Sequence, residues 1–411
     1  MMTVFTTPDR VVTPWFNRWN ADAYVRTEPF AGDPWDVATS STSGAPVVLW
    51  EGGFVGLTTT APATFRWEPG RLEVEADADA LFVHEGPVDE EVWLAYYART
   101  GCTAPVAPYG RMPEYCTWGD QIWAGGDKGG DAASEQLSLE LIDERLAMIA
   151  AAGWPTGRYT VDEGWCPRLG PGGFGDWRAK PKMGSMSTLA ERISAAGHIP
   201  GLWLSPLIHH ACDRAQAQPE LLGERVAMGG ECSWNHFHYL SVSAATESHV
   251  RELLTRVHDW GFLKLKLDIF YGRKRDMMEL CRIFAEAAAS VSDRLELECH
   301  VPDPFCSRYF HVLRINDVLI SPKFPGWRDV VNAHYSVCRD SSPHHLLNLD
   351  HIGGNIASIP EDDFLEHTGM QMRQLEGGYP VVGMMPQRVS EIATEAVGEL
   401  LQANQCFCAT D

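Results

Sequence analysis

"FLKLKLD", residues 262–268, alternates without a break. Successive side chains of a strand point to opposite faces, so Leu263, Leu265 and Leu267 fall on one side and Lys264, Lys266 and Asp268 on the other. A row of charges on a mid-chain strand fits two architectures. One is a sheet with a face in water. The other is a closed barrel, its leucines packed outward against helices and its charges turned into the lumen.

The flanking sequence chooses between them. From residue 113 short apolar strands alternate with amphipathic helices. "EYCTW" precedes a helix expected over 134–153, "GRYTV" one over 185–196, and "HIPGLWLSP" one over 245–260. "FLKLKLD" precedes 275–290, "RLELECH" a short helical piece near 304–311, and "VLRIND" a helix over 327–338. "HLLNLD" leads to 361–375 and "YPVVGM" to 387–402. Leu139, Ile142, Leu146 and Ile149 mark the buried stripe of the first helix. Eight such units predict a (β/α)8 TIM barrel, an α/β fold whose active sites sit at the C-terminal ends of its strands.

Residues 1–104 read differently. Short alternating segments are separated by Gly, Pro, Asp and Ser, with "EPG" at 68–70 placed as a hairpin turn, and no useful helical period precedes residue 130. The expectation is a small all-β sandwich over 1–104, followed by the catalytic barrel over 105–411.

Composition narrows the function. A net charge of -22 disfavours nucleic acid and anionic membranes, both of which attract basic surfaces. The 11 cysteines are scattered without a CxxC pair, which reads as free thiols rather than a disulfide framework or a zinc ribbon. "MMTVFTTPDR" has no signal-type pattern, and no apolar run approaches the roughly 18 residues of a spanning helix. A cytoplasmic protein is expected, with homo-oligomerisation left open.

Polar residues gather at the predicted strand ends: Asp162, Glu163 and Trp165 on the second, Trp203 on the third, and Asp268 on the fourth. Glu298, Cys299 and His300 end the fifth strand, Arg314 and Asp317 the sixth, and Asp350 and His351 the seventh. Indole faces stack on the C–H faces of a pyranose while carboxylates accept from its hydroxyls, so the pattern points to a carbohydrate site. A lone Asp at a strand end also commonly caps the next helix. Two carboxylates on different strands suit acetal chemistry. Lys266, two residues before Asp268 on the same face, favours an ionised Asp268 and hence a nucleophile; Asp317 would be the proton donor. A structural Lys266–Asp268 ion pair is the alternative.

At these residues the chain resembles glycoside hydrolase families 27 and 36, the α-galactosidase group called clan D. The stretch "YTVDEGWCPRLGPGGFGDWRAKPKMGSMSTLAERISAAGHIPGLWLSPLI" is similar to that group's DDGW turn, GDW segment and GLW strand. "LKLD" resembles its K-x-D nucleophile strand, and "LECH" its cysteine-bearing strand. "LRIND" resembles its arginine-led acid/base strand, and "NLDHIGGN" its D-P-D-M-L-x-x-G segment. The resemblance implies retaining hydrolysis of an α-glycoside without metal or other cofactor. Asp268 would be the nucleophile and Asp317 the general acid/base. Asp162 and Lys266 would hold hydroxyls, with Trp203, Cys299 and Arg314 lining the pocket. Glu163, Trp165, His300 and Asp350 complete the candidate substrate-binding set. Three departures stand out. Arg314 precedes Asp317 by three residues where the family has four, which keeps Asp303 and Asp329 in view as acid/base; Glu163 replaces the second Asp of DDGW; and the front β-domain is short.

Other readings remain. "DHIGGN" faintly resembles the D-I-G-G-F of family 31, the α-glucosidase and α-xylosidase type. A transglycosylase or a non-hydrolytic sugar-binding protein could use the same barrel. A metal-dependent sugar isomerase or epimerase would draw ligands from His209, His210, Asp213, Glu298, His300, Asp350 and His351.

Overall fold

A computed structural model of the chain describes all residues apart from 15–24, 40, 127–129, 228–231, 301–302, 316–325, 357 and 409–411. Eight parallel strands close a barrel in sequence order. They are Glu114–Cys116, Arg158–Val161, Ile199–Leu204, Lys264–Leu267, Glu296–Cys299, Val312–Arg314, Leu346–His351 and Gly378–Val382. Each coincides with a strand expected from the sequence. The helices between them also fall where the apolar period places them, as with Leu139–Ala151, Ala244–Asp259 and Lys274–Val291. Ser138, Ser185 and Ser243 start three of these helices, each hydroxyl accepting a first-turn backbone N–H.

The fourth strand resolves the opening ambiguity. Leu265 and Leu267 are buried in the barrel–helix core, while Lys264 and Lys266 point into the lumen and are equally buried. Lys264 pairs with Glu114 and, at 2.8 Å, with Glu298. Asn348 Nδ2 donates to both of these carboxylates (2.9 and 2.8 Å), and Thr160 Oγ1 donates to Glu114 (2.6 Å). One level of the lumen is thus a closed polar network from five strands. Burial works against ionisation of Glu114, but the Lys264 ammonium overrides it and holds the carboxyl low. Glu298 is pushed up, by burial and then by the Glu114 charge. Lys264 thus favours the charge on Glu114, and that charge together with burial disfavours a second one on Glu298. Arg158 forms a separate bidentate pair with Glu296 (2.5 and 2.8 Å).

The N-terminal part contains a four-stranded and a five-stranded antiparallel sheet. Thr64–Glu68 and Arg71–Glu75 form the expected hairpin, with Pro69 and Gly70 in the turn and Gly70 at φ +90°. One expectation fails here, because a helix precedes residue 130: Glu90–Thr100 packs Trp93, Tyr96 and Tyr97 onto the five-stranded sheet. Asp89 caps it and Gly101, at φ +65°, ends it. Its apolar residues sit in adjacent pairs, Trp93 beside Leu94 and Tyr96 beside Tyr97, which blurs the helical period. A second helix, Trp118–Ala124, follows the first barrel strand directly. A small sheet of Leu207–His209, Leu222–Arg225 and Phe237–Leu240 is inserted between the third and fourth barrel strands. Among the described residues no helix is long and apolar enough to cross a membrane, and the cysteines are free thiols.

Replacing Lys264 by Met removes the single cation of the Glu114–Glu298 layer and strands a buried carboxylate. The expected loss is about 3–5 kcal/mol of unfolding free energy at neutral pH, shrinking as acid protonates Glu114. Urea unfolding at two pH values measures it, and an unchanged midpoint would show that the layer contributes nothing.

Candidate active site

Asp268 follows the last residue of the fourth strand, its N–H donating to Leu204 O (3.0 Å). Its carboxylate is surrounded by donors. Oδ1 accepts from Arg314 Nη2 (3.1 Å) and from the Ile269 N–H (2.9 Å). Oδ2 accepts from Trp203 Nε1 (3.2 Å). His300 Nε2 lies 3.1 Å from Oδ1. Burial alone would raise the Asp268 carboxyl; the charges of Arg314, His300 and Lys266 outweigh it and hold the group well below the usual carboxylate range. His300 moves the other way, down to about 4, because burial disfavours imidazolium more than Asp268 favours it. At neutral pH Asp268 is an anion beside a neutral histidine.

The side chains around Asp268 are sealed and it is not. Lys266 and Asp162 have 4% side-chain exposure, Arg314 3% and Asp350 0%, against 17% for Asp268. The one acid of the group with a face toward incoming molecules is Asp268. Its backbone is also unusual. Ile269 has φ +65°, a left-handed conformation that costs a β-branched residue about 1–3 kcal/mol.

Lys266 turns away from Asp268 toward Asp162, with Nζ to Oδ2 at 2.6 Å. The Lys266–Asp268 ion pair considered from sequence is therefore a Lys266–Asp162 pair, with Asp268 held by Arg314 instead. Burial lowers the Lys266 ammonium's affinity for its proton, and Asp162 more than restores it. Asp162 Oδ2 also accepts from the Cys116 thiol (3.0 Å), and Asp162 Oδ1 from the Glu163 N–H (2.7 Å). Glu163 sits behind this pair, accepting from Ser134 Oγ (3.0 Å), with Arg168 Nε 3.0 Å from the same oxygen. Burial, and the negative Asp162 and Asp268, push its carboxyl upward. Arg168 lies over the Trp234 ring at 4.1 Å.

The seventh strand contributes through an irregularity. Its register shifts between Asn348 and His351, and Asp350 takes φ +60° with its N–H donating to Asn348 Oδ1 (2.9 Å). The shift lets adjacent residues reach the same cleft. Asp350 Oδ1 meets Arg314 Nη1 at 3.4 Å, and His351 approaches Asp162 and Cys116.

Not every sequence candidate joins this group. Cys299 pairs in register with Leu267, so it faces the helices and packs in the core rather than the pocket. Trp165 is fully buried, donating to Trp203 O (2.9 Å) and stacking on Trp177. Trp203 is itself 1% exposed, a donor to Asp268 rather than an open wall. Asp303 caps the short helix Pro304–Ser307 and pairs with Lys274 (2.8 Å), and Asp329 is exposed in the first turn of Trp327–Asp340; both have structural or solvent roles. Asp317 lies outside the described residues. In the GDW segment, Asp176 accepts the N–H groups of Gly172, Asp213 and Arg214 and fastens two loops together. Sequence reasoning missed Cys116, Ser134 and Arg168, which become neighbours of the Asp–Glu pair only through barrel closure.

A metal centre is poorly served. Cys116, Asp162 and His351 bring ligand atoms within 4.8 Å of one another, the one such trio among the described residues. The Lys266 ammonium already sits 2.6 Å from Asp162 and 3.8 Å from Cys116 Sγ, and a divalent cation would meet its repulsion. Of the ligands proposed for an isomerase, His209 Nδ1 accepts backbone N–H groups from Gly170 and Ala211, and Asp213 pairs with Arg178.

Arg314→Gln removes the strongest cation acting on Asp268. The carboxyl of Asp268 should then rise, since its anion loses its main partner, and the stability that pairing supplies above about pH 4 should fall. A carboxyl-carbon NMR titration of the two proteins reads the change; an identical Asp268 titration would exclude Arg314 as the cause.

No protein-family model matches the sequence, and a search of curated proteins found no match. Solved structures do match. Alpha-galactosidase TtGalA from Thermus thermophilus, solved with stachyose, has a TM-score of 0.70 at 16% identity, over 98% of this chain and 92% of that one. The GH36 alpha-galactosidase AgaB from Geobacillus stearothermophilus has a TM-score of 0.63 at 12% identity, over 98% of this chain and 62% of that one. The galactosidase domain of the alpha-galactosidase–sucrose kinase AgaSK has a TM-score of 0.66 at 14% identity, over 99% and 61%. From its N-terminal sheets to its closed barrel, the chain shares the fold of these solved structures.

Proposed function

We propose that this chain is a retaining α-glycosidase of the α-galactosidase type. The observation that carries the reading is Asp268: an anion at a barrel strand end, aimed by Trp203, Arg314 and its neighbour's N–H, and more exposed than the residues around it. An ionised, oriented carboxylate with an open face is what a glycosyl nucleophile requires. The solved alpha-galactosidases that share the fold add weight.

In the first step a carboxylate oxygen of Asp268 attacks the anomeric carbon, and the bond to the leaving oxygen breaks. That oxygen takes a proton from Asp317, leaving a glycosyl-Asp268 ester. In the second step Asp317 removes a proton from water, whose oxygen displaces Asp268 and frees the sugar. Asp317 is assigned from the resemblance of "LRIND" to the family's arginine-led acid/base strand, with Asp303 engaged as a helix cap and ion pair and Asp329 in an exposed helical turn. The Lys266–Asp162 pair beside the nucleophile offers donor and acceptor to adjacent sugar hydroxyls. Transfer to an acceptor other than water uses the same ester and differs only in what enters second.

A mechanism-based epoxide of the α-galacto series should label Asp268, found by peptide mapping. Asp268→Ala should lose roughly three to six orders of magnitude in kcat and regain part of it with azide. A panel of aryl α-glycosides then tests specificity: preference for α-glucoside or α-xyloside over α-galactoside would move the protein toward the family 31 reading. A label on another residue, or full turnover by Asp268→Ala, overturns the assignment.

A further inference from the structure

Asp268 ends a rigid strand, and the backbone turns left-handed immediately after it, at Ile269. A glycine would adopt this conformation freely, whereas an isoleucine must be held there. On the strand side, Asp268 N–H is tied to Leu204 O. The other side is tied by residues more than two hundred positions away, in the N-terminal part. Thr39 Oγ1 donates to Phe270 O (2.7 Å), and Thr39 N–H donates to Gly272 O (2.9 Å). Lys274 N–H donates to Val37 O (2.9 Å) and Arg275 N–H to Trp35 O (3.1 Å), with an antiparallel bridge between Ala38 and Arg273. The strap is itself anchored, since Trp35 is fully buried with its ring edge-on to Phe305, centroids 5.0 Å apart. Gly272 is closely packed on its barrel side: a Cβ there would come within 2.8 Å of Met277 Cε and 2.9 Å of the Tyr239 ring.

We propose that residues 35–39 form a clamp that fixes the turn after Asp268, and that Thr39 is a positioning residue acting on the nucleophile through the Phe270 carbonyl. This rests on the reading of Asp268 as nucleophile. The strand end and the clamp over-determine Ile269 from both sides, so the Asp268 carboxylate is presented in one orientation toward Trp203 Nε1 and Arg314. Of the clamp's bonds, the Thr39 hydroxyl is the side-chain one nearest Ile269, and Thr39 is only 1% exposed. It is therefore the bond that a substitution can remove while leaving the backbone pairing in place.

Thr39→Val keeps the shape and deletes the hydroxyl; Thr39→Ser keeps the hydroxyl. Crystal structures of wild type and both variants, grown alike, provide a readout that needs no substrate. In Thr39→Val, Ile269 should leave the left-handed region and the Asp268 carboxylate should part from Trp203 Nε1; in Thr39→Ser both should stay. Kinetics on an aryl α-galactoside should show kcat reduced roughly tenfold to hundredfold in Thr39→Val, as expected for a small misplacement of a reacting group. KM and the melting temperature should change little, and Thr39→Ser should recover most of the loss. An unmoved Ile269 and Asp268 in Thr39→Val overturns the clamp, whatever the kinetics. A moved turn with undiminished kcat overturns its role in catalysis, as does a kcat loss that follows melting temperature and is not rescued by serine. If wild-type protein acts on no α-galactoside, the functional reading fails instead, and the crystal structures still decide the clamp.

Discussion

An ammonium group cannot lie bare inside a protein, and this barrel places two of them in its lumen on one strand. Lys264 and Lys266 are tolerable there only because closure brings carboxylates from other strands against them: Glu114 and Glu298 for the first, Asp162 for the second. The rest of the site follows from that requirement. With Lys266 engaged by Asp162, Asp268 is left to Arg314 and Trp203, and their donors keep it charged and aimed. A lumen lined with aliphatic residues would pack as well but would leave nothing at its mouth to hold an anion in place.

Two levels of the lumen carry two kinds of work. The Glu114–Lys264–Glu298–Asn348 layer is sealed and hydrogen-bonded across the lumen, and it joins strands that are not neighbours in the backbone ladder. One residue pair higher, the same chemistry becomes partly open. Asp162 and Lys266 are still paired, yet Asp268 beyond them has an exposed face. The candidate site is the upper end of a polar column whose lower part is sealed.

The barrel was legible because its signals are local. Alternation in "FLKLKLD" and apolar stripes such as Ile142 and Ile149 act within a few residues. Asp268 was legible for the same reason, since its place at a strand end needs only the strand's period. What the sequence concealed depends on contacts between distant segments. Cys116 and Asp162 are 46 residues apart and meet only across neighbouring strands. Cys299 was misplaced because a family-like "LECH" says nothing about which face a residue takes; its parity with Leu267 turns it outward. The helix Glu90–Thr100 was hidden by side-by-side aromatics that serve a sheet face rather than a narrow stripe. The inserted sheet at Leu207–Leu240 was passed over because the stretch between "HIPGLWLSP" and the helix over 245–260 reads as one connection.

The register slip in the seventh strand has a wider meaning for how this chain can change. Ordinary pleating offers the cleft every second residue, and the slip lets Asp350 and His351, immediate neighbours, both serve it. Removing or adding one position between Asn348 and His351 would swap an inward acid for an outward one and unhook Arg314 from its second partner. A rim loop that carries or braces no site residue can vary in length without touching the chemistry. That strand cannot, and any lineage descended from this sequence should conserve its spacing more tightly than the identity of its residues.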